Sequence, residues 1–315
     1  MKKTILFLIF IISATLIIPL LVYMKYGKYK EPAPESEDVI SVYLHTEDKV
    51  VDMSKSQYLK EVVSAEMPAD FHIEALKAQA VAARSYLNSR MNAYEKSGKP
   101  EEHKGADICT DSSHCKAWIS QDARMKSWGN DASANWDKIS RAVDETSGQI
   151  ITYNNEVISA VFHSTSSGRT ENSKDVWGGE RPYLVSVESP GDQYSPKYKS
   201  EKTVSLDEFK KVISDNIENI DFNKELIGEI CRSEAGGIMT VSIGGVEIKG
   251  SLLRSLFDLR SSNININING DTVNFDVTGY GHGVGMSQYG ANYLANQGKT
   301  YIDILKTYYQ GVEIK

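Results

Sequence analysis

The sequence predicts an α+β fold: mixed, largely antiparallel sheets around a central alanine-rich helix, preceded by a single N-terminal transmembrane helix. Three observations predict it. Strand-like alternation and helical periodicity are interleaved without βαβ regularity, which disfavours a doubly wound parallel sheet. Ala75, Ala78, Ala80, Ala82 and Ala83 crowd one helical stretch, combining high helix propensity with room for close packing on several sides. Ile5–Met24 carries no charge and is long enough to span a hydrocarbon core.

The elements follow in order. Residues 1–4 precede the span, and Ile5–Met24 reads as a signal anchor because its apolar stretch is long and lacks an Ala-x-Ala-like exit. A long cleaved signal is the competing reading. Lysines flank the span on both sides, so orientation rests on the large region that follows, expected outside the cytoplasm. Residues 25–38, rich in Pro, Glu, Ser and Lys, have a disordered linker's composition. Residues 39–315 form the expected catalytic domain. Val39–Leu44 alternates as a strand, with Val50–Met53 its continuation or partner. Ser54-x-x-Gln57 resembles a capping box opening a helix to about Ser64, and Pro68 forbids its continuation. Asp70 can cap the alanine-rich helix, Ile73 to about Tyr94.

Residues 97–129 are expected as a polar, loop-rich stretch holding most of the metal-ligand candidates. Ile150–Tyr153 and Val157–Phe162 flank Asn154-Asn155-Glu156 as a hairpin. Leu206 to about Ile217 is helical, and Ile264–Asn269 alternates Ile and Asn as a half-buried strand exposed to register slip. Ser287 caps a helix that Gly298 ends, and Thr300 opens another that stops before Gly311.

With 41% hydrophobic and 24% charged residues, the 315-residue chain can bury a large core. A net charge of −7 argues against nucleic acid as a partner.

Four groups of residues carry chemistry. Glu66, in A-E-M-P-A, sits at a helix end whose unpaired carbonyls disfavour ionisation. Met67, Pro68 and Phe71 can desolvate it, and both effects raise a carboxyl pKa, as a general acid near neutral pH requires. A solvated glutamate at a helix end is the bland alternative. His103, Cys109, His114 and Cys115, in the pattern H-x5-C-x4-H-C, offer zinc two imidazoles and two thiolates. A Cys109–Cys115 disulfide, leaving Cys231 over, competes with that reading. If all four residues bind, no coordination position stays open and the metal is structural.

Phe162–Glu171 runs a strand into a hydroxyl-rich turn containing His163, Ser164 and Gly168. G-Y-G-H-G-V-G-M-S-Q-Y-G-A at Gly279–Ala291 interleaves glycines with His282, Ser287 and Gln288, suiting a backbone that lies close to a polar ligand. It lacks the spacing of a phosphate loop. Gln79 and Arg84 on the alanine-rich helix are further binding candidates.

Read together, Tyr58–Tyr86, Asp107–Trp118, Ile158–Trp177, Leu253–Phe257, Gly279–Ala295 and the end near Tyr308-Tyr309-Gln310-Gly311 resemble the stage II sporulation protein D family of peptidoglycan lytic transglycosylases. The resemblance covers nearly the whole region after the linker, in order. It implies membrane anchoring between mother cell and forespore, and cleavage of septal glycan during engulfment. Its E-M-P glutamate falls on Glu66. It further implies partners: a membrane-anchored wall amidase and a polytopic membrane protein. One departure is visible, since the family's serine-rich turn commonly carries Gly-Gly where this chain has Ser167-Gly168. A positive φ at Ser167 would be strained. The contrasting functions are a non-catalytic wall-binding or activator module, and a zinc amidase working through the Cys/His cluster.

Overall fold

The computed structural model describes residues 38–315. The expected span Ile5–Met24 and residues 25–37 of the linker lie outside them. Among the described residues no helix is long and apolar enough to cross a membrane.

The described fold is α+β with mainly antiparallel pairing, built on the Ile73–Ser97 helix. Ala75, Ala78, Ala80 and Ala82 have no solvent exposure. Their small side chains let the helices Lys55–Glu66, Ala132–Asp144, Gln288–Asn296 and Tyr301–Tyr308 all pack against this one. Its cap differs from expectation. His72, rather than the exposed Asp70, accepts the Glu74 N–H at 3.2 Å on Nδ1. The His72 N–H is itself held by Asn292 Oδ1 at 2.8 Å.

The Lys55–Glu66 helix starts where Ser54 Oγ accepts the Gln57 N–H at 3.1 Å. The Gln57 side chain does not close a capping box; it donates to Glu61 at 2.8 Å. The helix stops because Met67 is extended (φ −120°, ψ 142°), the conformation a following proline imposes.

Two local expectations change. The stretch expected as loop contains a helix, Gln121–Trp128, none of whose residues is buried, so it has no apolar stripe to read. It is held instead by Glu61, which accepts the Trp118 indole N–H at 2.8 Å and the Gln121 N–H at 2.9 Å. The hairpin at Asn154-Asn155 forms, with φ of 50° and 65° as a type I′ turn needs, but its second strand is only Glu156–Val157. Phe162–His163 leaves that sheet and pairs in parallel with Met286–Ser287.

The described residues, 38–315, fall in one compact unit with two hydrophobic cores. The second core lies within 199–278. It fills the space between the sheet Ile264–Asn269/Thr272–Thr278/Lys199–Ser205, a second antiparallel three-stranded sheet, and the helices Leu206–Asn216 and Gly250–Leu256. Phe209, Phe257 and Phe275 pack together at its centre, with centroids 4.9–6.2 Å apart and the Phe209 and Phe257 rings stacked. Lys199 pairs with Thr278, so this lobe enters and leaves the first through adjacent strands. Ile264–Asn269 pairs in unbroken register, and its isoleucines run from buried Ile264 to exposed Ile268. The second lobe thus returns the chain at Gly279, where the glycine-rich segment begins.

Candidate active site and metal cluster

A cleft of about 540 Å³ is lined by Ala65–Asp70, Arg124, Trp128, Asp131, Asn135 and Lys197. Glu66 sits half-buried in its wall. Its Oε1 accepts the Ala117 N–H at 3.1 Å and its Oε2 accepts the Gln288 side-chain amide at 3.2 Å. Burial raises the Glu66 pKa, and the nearby Lys116 ammonium, Gln288 and Ala117 oppose that rise. Asp70 and Asp131 share the cleft, but both are exposed on its rim. Glu66 is therefore the carboxyl in this cleft whose surroundings favour holding a proton.

Neighbouring groups fix the site. The Arg124 guanidinium donates to the Ser64 carbonyl (Nε to O, 2.8 Å), satisfying an open acceptor at the end of the Glu66 helix. It also lies over Trp128, 5.1 Å from the ring centroid. Lys116 is buried between the rings of Phe162 and Tyr86, at 3.9 and 4.4 Å. Burial pushes it down to about 8, with the Glu66 charge acting the other way. Lys197 reaches the cleft from the connection into the second lobe and stands 5.3 Å from the Tyr280 ring.

The ligand atoms of His103, Cys109, His114 and Cys115 all lie within 4.8 Å of one another. His103 Nε2 is 3.1 Å from His114 Nδ1, and Cys115 Sγ is 3.3 and 3.6 Å from those two nitrogens. Cys109 Sγ is 3.5 Å from His114 Nδ1. Tetrahedral zinc, with bonds of about 2.0–2.3 Å, needs ligand-to-ligand edges of roughly 3.3–3.8 Å. The donor set fits, and the spacings of 3.3, 3.5 and 3.6 Å fall in that range, while the His–His spacing of 3.1 Å is tighter and the set as a whole spans up to 4.8 Å. Cys109 and Cys115 are free thiols rather than a disulfide. The cluster is joined to Glu66 by sequence, because Cys115 is followed by Lys116 and Ala117, both of which act on the carboxyl.

The remaining expected site residues divide. Gln288 reaches Glu66, and Ser287 stands behind it as the cap of the Gln288–Asn296 helix. Gln79 and Arg84 are in the interior: Arg84 is 1% exposed and donates to the carbonyls of Val143 (3.1 Å) and Gln149 (3.3 Å). His163 and His282 form a packed pair, with centroids 5.6 Å apart and Trp177 against His282. His163 Nδ1 donates to the Val284 carbonyl at 3.1 Å, and burial pushes the ring down to about 4, so it is neutral at pH 7. His282 Nδ1 accepts the Val284 N–H. Neither histidine lines the Glu66 cleft.

The hydroxyl-rich turn is likewise spent internally. Thr165 donates to Ser195 at 3.0 Å and Ser166 to Asp192 at 2.5 Å, while Ser164 Oγ faces the Thr165 hydroxyl at 3.4 Å. Gly168, exposed at the turn, takes the positive φ (104°), so Ser167 is unstrained. The glycine-rich segment lies close to its own chain. A Cβ on Gly285 would stand 2.2 Å from the Val161 carbonyl, and one on Gly281 2.7 Å from His163 Cβ.

The sequence reading missed Ala117, Arg124, Trp128, Lys197 and Asp192. Arg124 and Trp128 belong to the helix expected as loop, and Asp192 lies in a segment without a recognisable motif.

Fold and site together define an α+β protein with one sunken carboxyl on an open polar cleft and a Cys/His cluster next to it. A family profile described as stage II sporulation protein, SpoIID, matches residues 43–153. The stage II sporulation protein D of Bacillus amyloliquefaciens is 40% identical over 281 residues, covering 89% of this chain and 79% of that protein. That of Bacillus subtilis is 39% identical over 288 residues, covering 91% and 82%. The amidase enhancer of B. subtilis is 26% identical over 81% of this chain but only 40% of its own length. The chain belongs to the stage II sporulation protein D family and is a sporulation protein.

Proposed function

We propose that this chain is a lytic transglycosylase that cuts the glycan strands of peptidoglycan, remodelling septal wall during engulfment. The observation that carries the reading is Glu66: one carboxyl, sunk in a polar cleft, with its pKa raised by burial and both oxygens held by fixed donors. A protonated Glu66 gives its proton to the oxygen between N-acetylmuramic acid and N-acetylglucosamine as that bond to the anomeric carbon breaks. The resulting carboxylate takes the proton of the muramyl C6 hydroxyl, whose oxygen bonds the anomeric carbon and closes the 1,6-anhydro ring. No water enters. Ala117 N–H and the Gln288 amide stabilise the carboxylate between the two transfers.

A second reading, glycan hydrolysis, has one observation in its favour: Asp70 and Asp131 share the cleft, and a second carboxylate is what activation of water requires. Incubating the protein with purified wall separates the two by mass spectrometry. Anhydro-muropeptides, one water lighter than hydrolase products, are expected; reducing-end products alone would replace transglycosylation with hydrolysis. Wall binding without release of any fragment would make the chain a binding or activator module.

On the same reading His103, Cys109, His114 and Cys115 hold a structural zinc that braces the loop supplying Ala117 N–H. A bound zinc would contribute folding energy rather than chemistry. A catalytic zinc amidase is disfavoured, because four protein ligands leave no open position. Chelation that unfolds the loop before activity is lost fits the structural role. The proposal also includes an anchor at residues 5–24 with an extracytoplasmic catalytic region. Its partners would be a membrane-anchored amidase that bares the glycan and a polytopic membrane protein.

A further inference from the structure

Asp192 has no solvent exposure and, among the described residues, no lysine or arginine partner, yet it ties together segments at 166, 189–192 and 287. Its Oδ2 accepts hydroxyls from Ser166 (2.5 Å) and Ser189 (2.6 Å), and its Oδ1 accepts that of Ser287 (2.5 Å). A carboxylate only accepts, so all three serine protons point inward to it. Each serine oxygen then has lone pairs free for a second donor, and each finds one. Ser166 Oγ accepts the Gly168 N–H at 3.1 Å, Ser189 Oγ the Tyr308 hydroxyl at 2.8 Å, and Ser287 Oγ the Gly290 N–H at 3.3 Å. With this polarity every donor and acceptor in the knot is satisfied.

The Ser287 branch leads to the cleft. Its bond to Gly290 is the N-cap of the Gln288–Asn296 helix, and the first residue of that helix, Gln288, donates to Glu66. The knot also has no slack around the helix start. A Cβ on Gly290 would lie 2.1 Å from the Tyr308 hydroxyl and 2.5 Å from Ser189 Oγ, and one on Gly191, beside Asp192, 2.1 Å from the Tyr293 ring. The position of Gln288 is thus set by a buried carboxylate that does not line the Glu66 cleft.

We propose that Asp192 is a positioning residue for the reaction. By fixing the direction of the Ser287 hydroxyl it fixes the helix N-terminus, and through it the Gln288 amide that holds the Glu66 carboxyl. The inference rests on Glu66 being the catalytic acid. It adds a residue that neither the E-M-P motif nor the cleft identifies.

The test uses the full-length chain and two readouts. In the first, Asp192→Asn, which keeps the shape but loses an acceptor, is compared with Gln288→Ala and with the double variant on purified wall glycan. Displacement of a positioned group by about an ångström costs up to about 10²-fold. We therefore expect kcat to fall about 10- to 100-fold in each single variant with KM nearly unchanged, and the double variant to be no worse than Gln288→Ala by more than about twofold. Losses that multiply in the double variant, or an Asp192→Asn protein with lower Tm but unchanged kcat, would reduce Asp192 to a purely structural role.

The second readout does not need activity: the side-chain amide resonance of Gln288, followed by NMR. In Asp192→Asn it should move toward its position in Glu66→Ala. An unmoved resonance overturns the inference even where Glu66 is essential. A moved resonance with Glu66→Gln still fully active would instead overturn the catalytic reading while leaving the Asp192–Gln288 link in place.

Discussion

Glu66 and Asp192 are two carboxyls sunk in the same lobe, and burial raises the pKa of both. They differ in what completes their shells. Asp192 receives three hydroxyls and is sealed. Glu66 receives one backbone N–H and one amide, and its remaining face opens on the cleft. Burial alone does not mark a reactive acid. An acid with acceptor capacity left over beside a space large enough for a ligand is the one that can exchange its proton with something outside.

The largest effect should come from replacing the open acid. Glu66→Gln is expected to lower release of anhydro-muropeptides by about 10²–10⁴-fold, the usual worth of a general acid. Its stability should move the other way. Because the folded pKa of Glu66 lies above its unfolded value, its favourable contribution is full below the ordinary carboxylate range and is lost as pH rises through the folded value. The glutamine variant does not titrate, so its Tm relative to the native chain should climb over that window. A variant that is inactive and also melts well below the native chain would mean that Glu66 is a structural carboxyl like Asp192.

Next in size is the loop between the cluster and the acid. Cys109→Ser removes one corner of the four-residue set, a chelator would remove the proposed zinc, and either is expected to lower stability by on the order of 3 kcal/mol. Thermal melting measures it. Activity should fall too, because Ala117 N–H follows Cys115 closely in the chain. A chelated protein with unchanged Tm would dissociate the cluster from any metal.

A smaller effect is a shift of a pH profile. Activity that needs a protonated Glu66 should decline as pH rises through its elevated pKa. The Gln288 amide favours the carboxylate and so lowers that pKa. Removing it in Gln288→Ala should therefore carry the alkaline limb of kcat to higher pH. A limb that stays in place or moves down would show that Gln288 does not act on the proton of Glu66.

Which carboxyl would be which was half legible in the sequence. Met67 and Pro68 announce Glu66, since a proline must end the helix there and apolar neighbours desolvate its last carboxyl. The alanines announce the central helix, and the Cys/His spacing announces the cluster, because these signals are local. Asp192 announces nothing: Ser189 is a near neighbour in the chain, but the partners at 166 and 287 are brought to it only by tertiary folding. The same non-local packing decides where the serines and glycines lie. The hydroxyls of Ser166 and Ser287 go to Asp192, and Gly281 and Gly285 leave room for His163 and Val161. The helix Gln121–Trp128 was hidden for a related reason, as its anchor is Glu61 on another helix rather than an apolar stripe of its own.

The smallest prediction isolates that non-local role by using two serines with the same local job. Ser54 caps the Glu66 helix by accepting the Gln57 N–H, and Ser287 caps the Gln288 helix by accepting the Gly290 N–H. Ser54→Ala should cost about 1 kcal/mol of stability, the ordinary value of a cap. It should leave kcat within about twofold, because the far end of that helix, where Glu66 sits, is held independently by Arg124 on the Ser64 carbonyl and by Ala117. Ser287→Ala removes a similar cap but also cuts the link to Asp192, so its kcat should fall with Asp192→Asn. Melting curves and single-turnover rates for the two alanine variants decide the matter. Equal losses of kcat would mean that any fraying near the cleft slows the reaction, whereas a loss confined to Ser287 ties the rate to the orientation that Asp192 imposes.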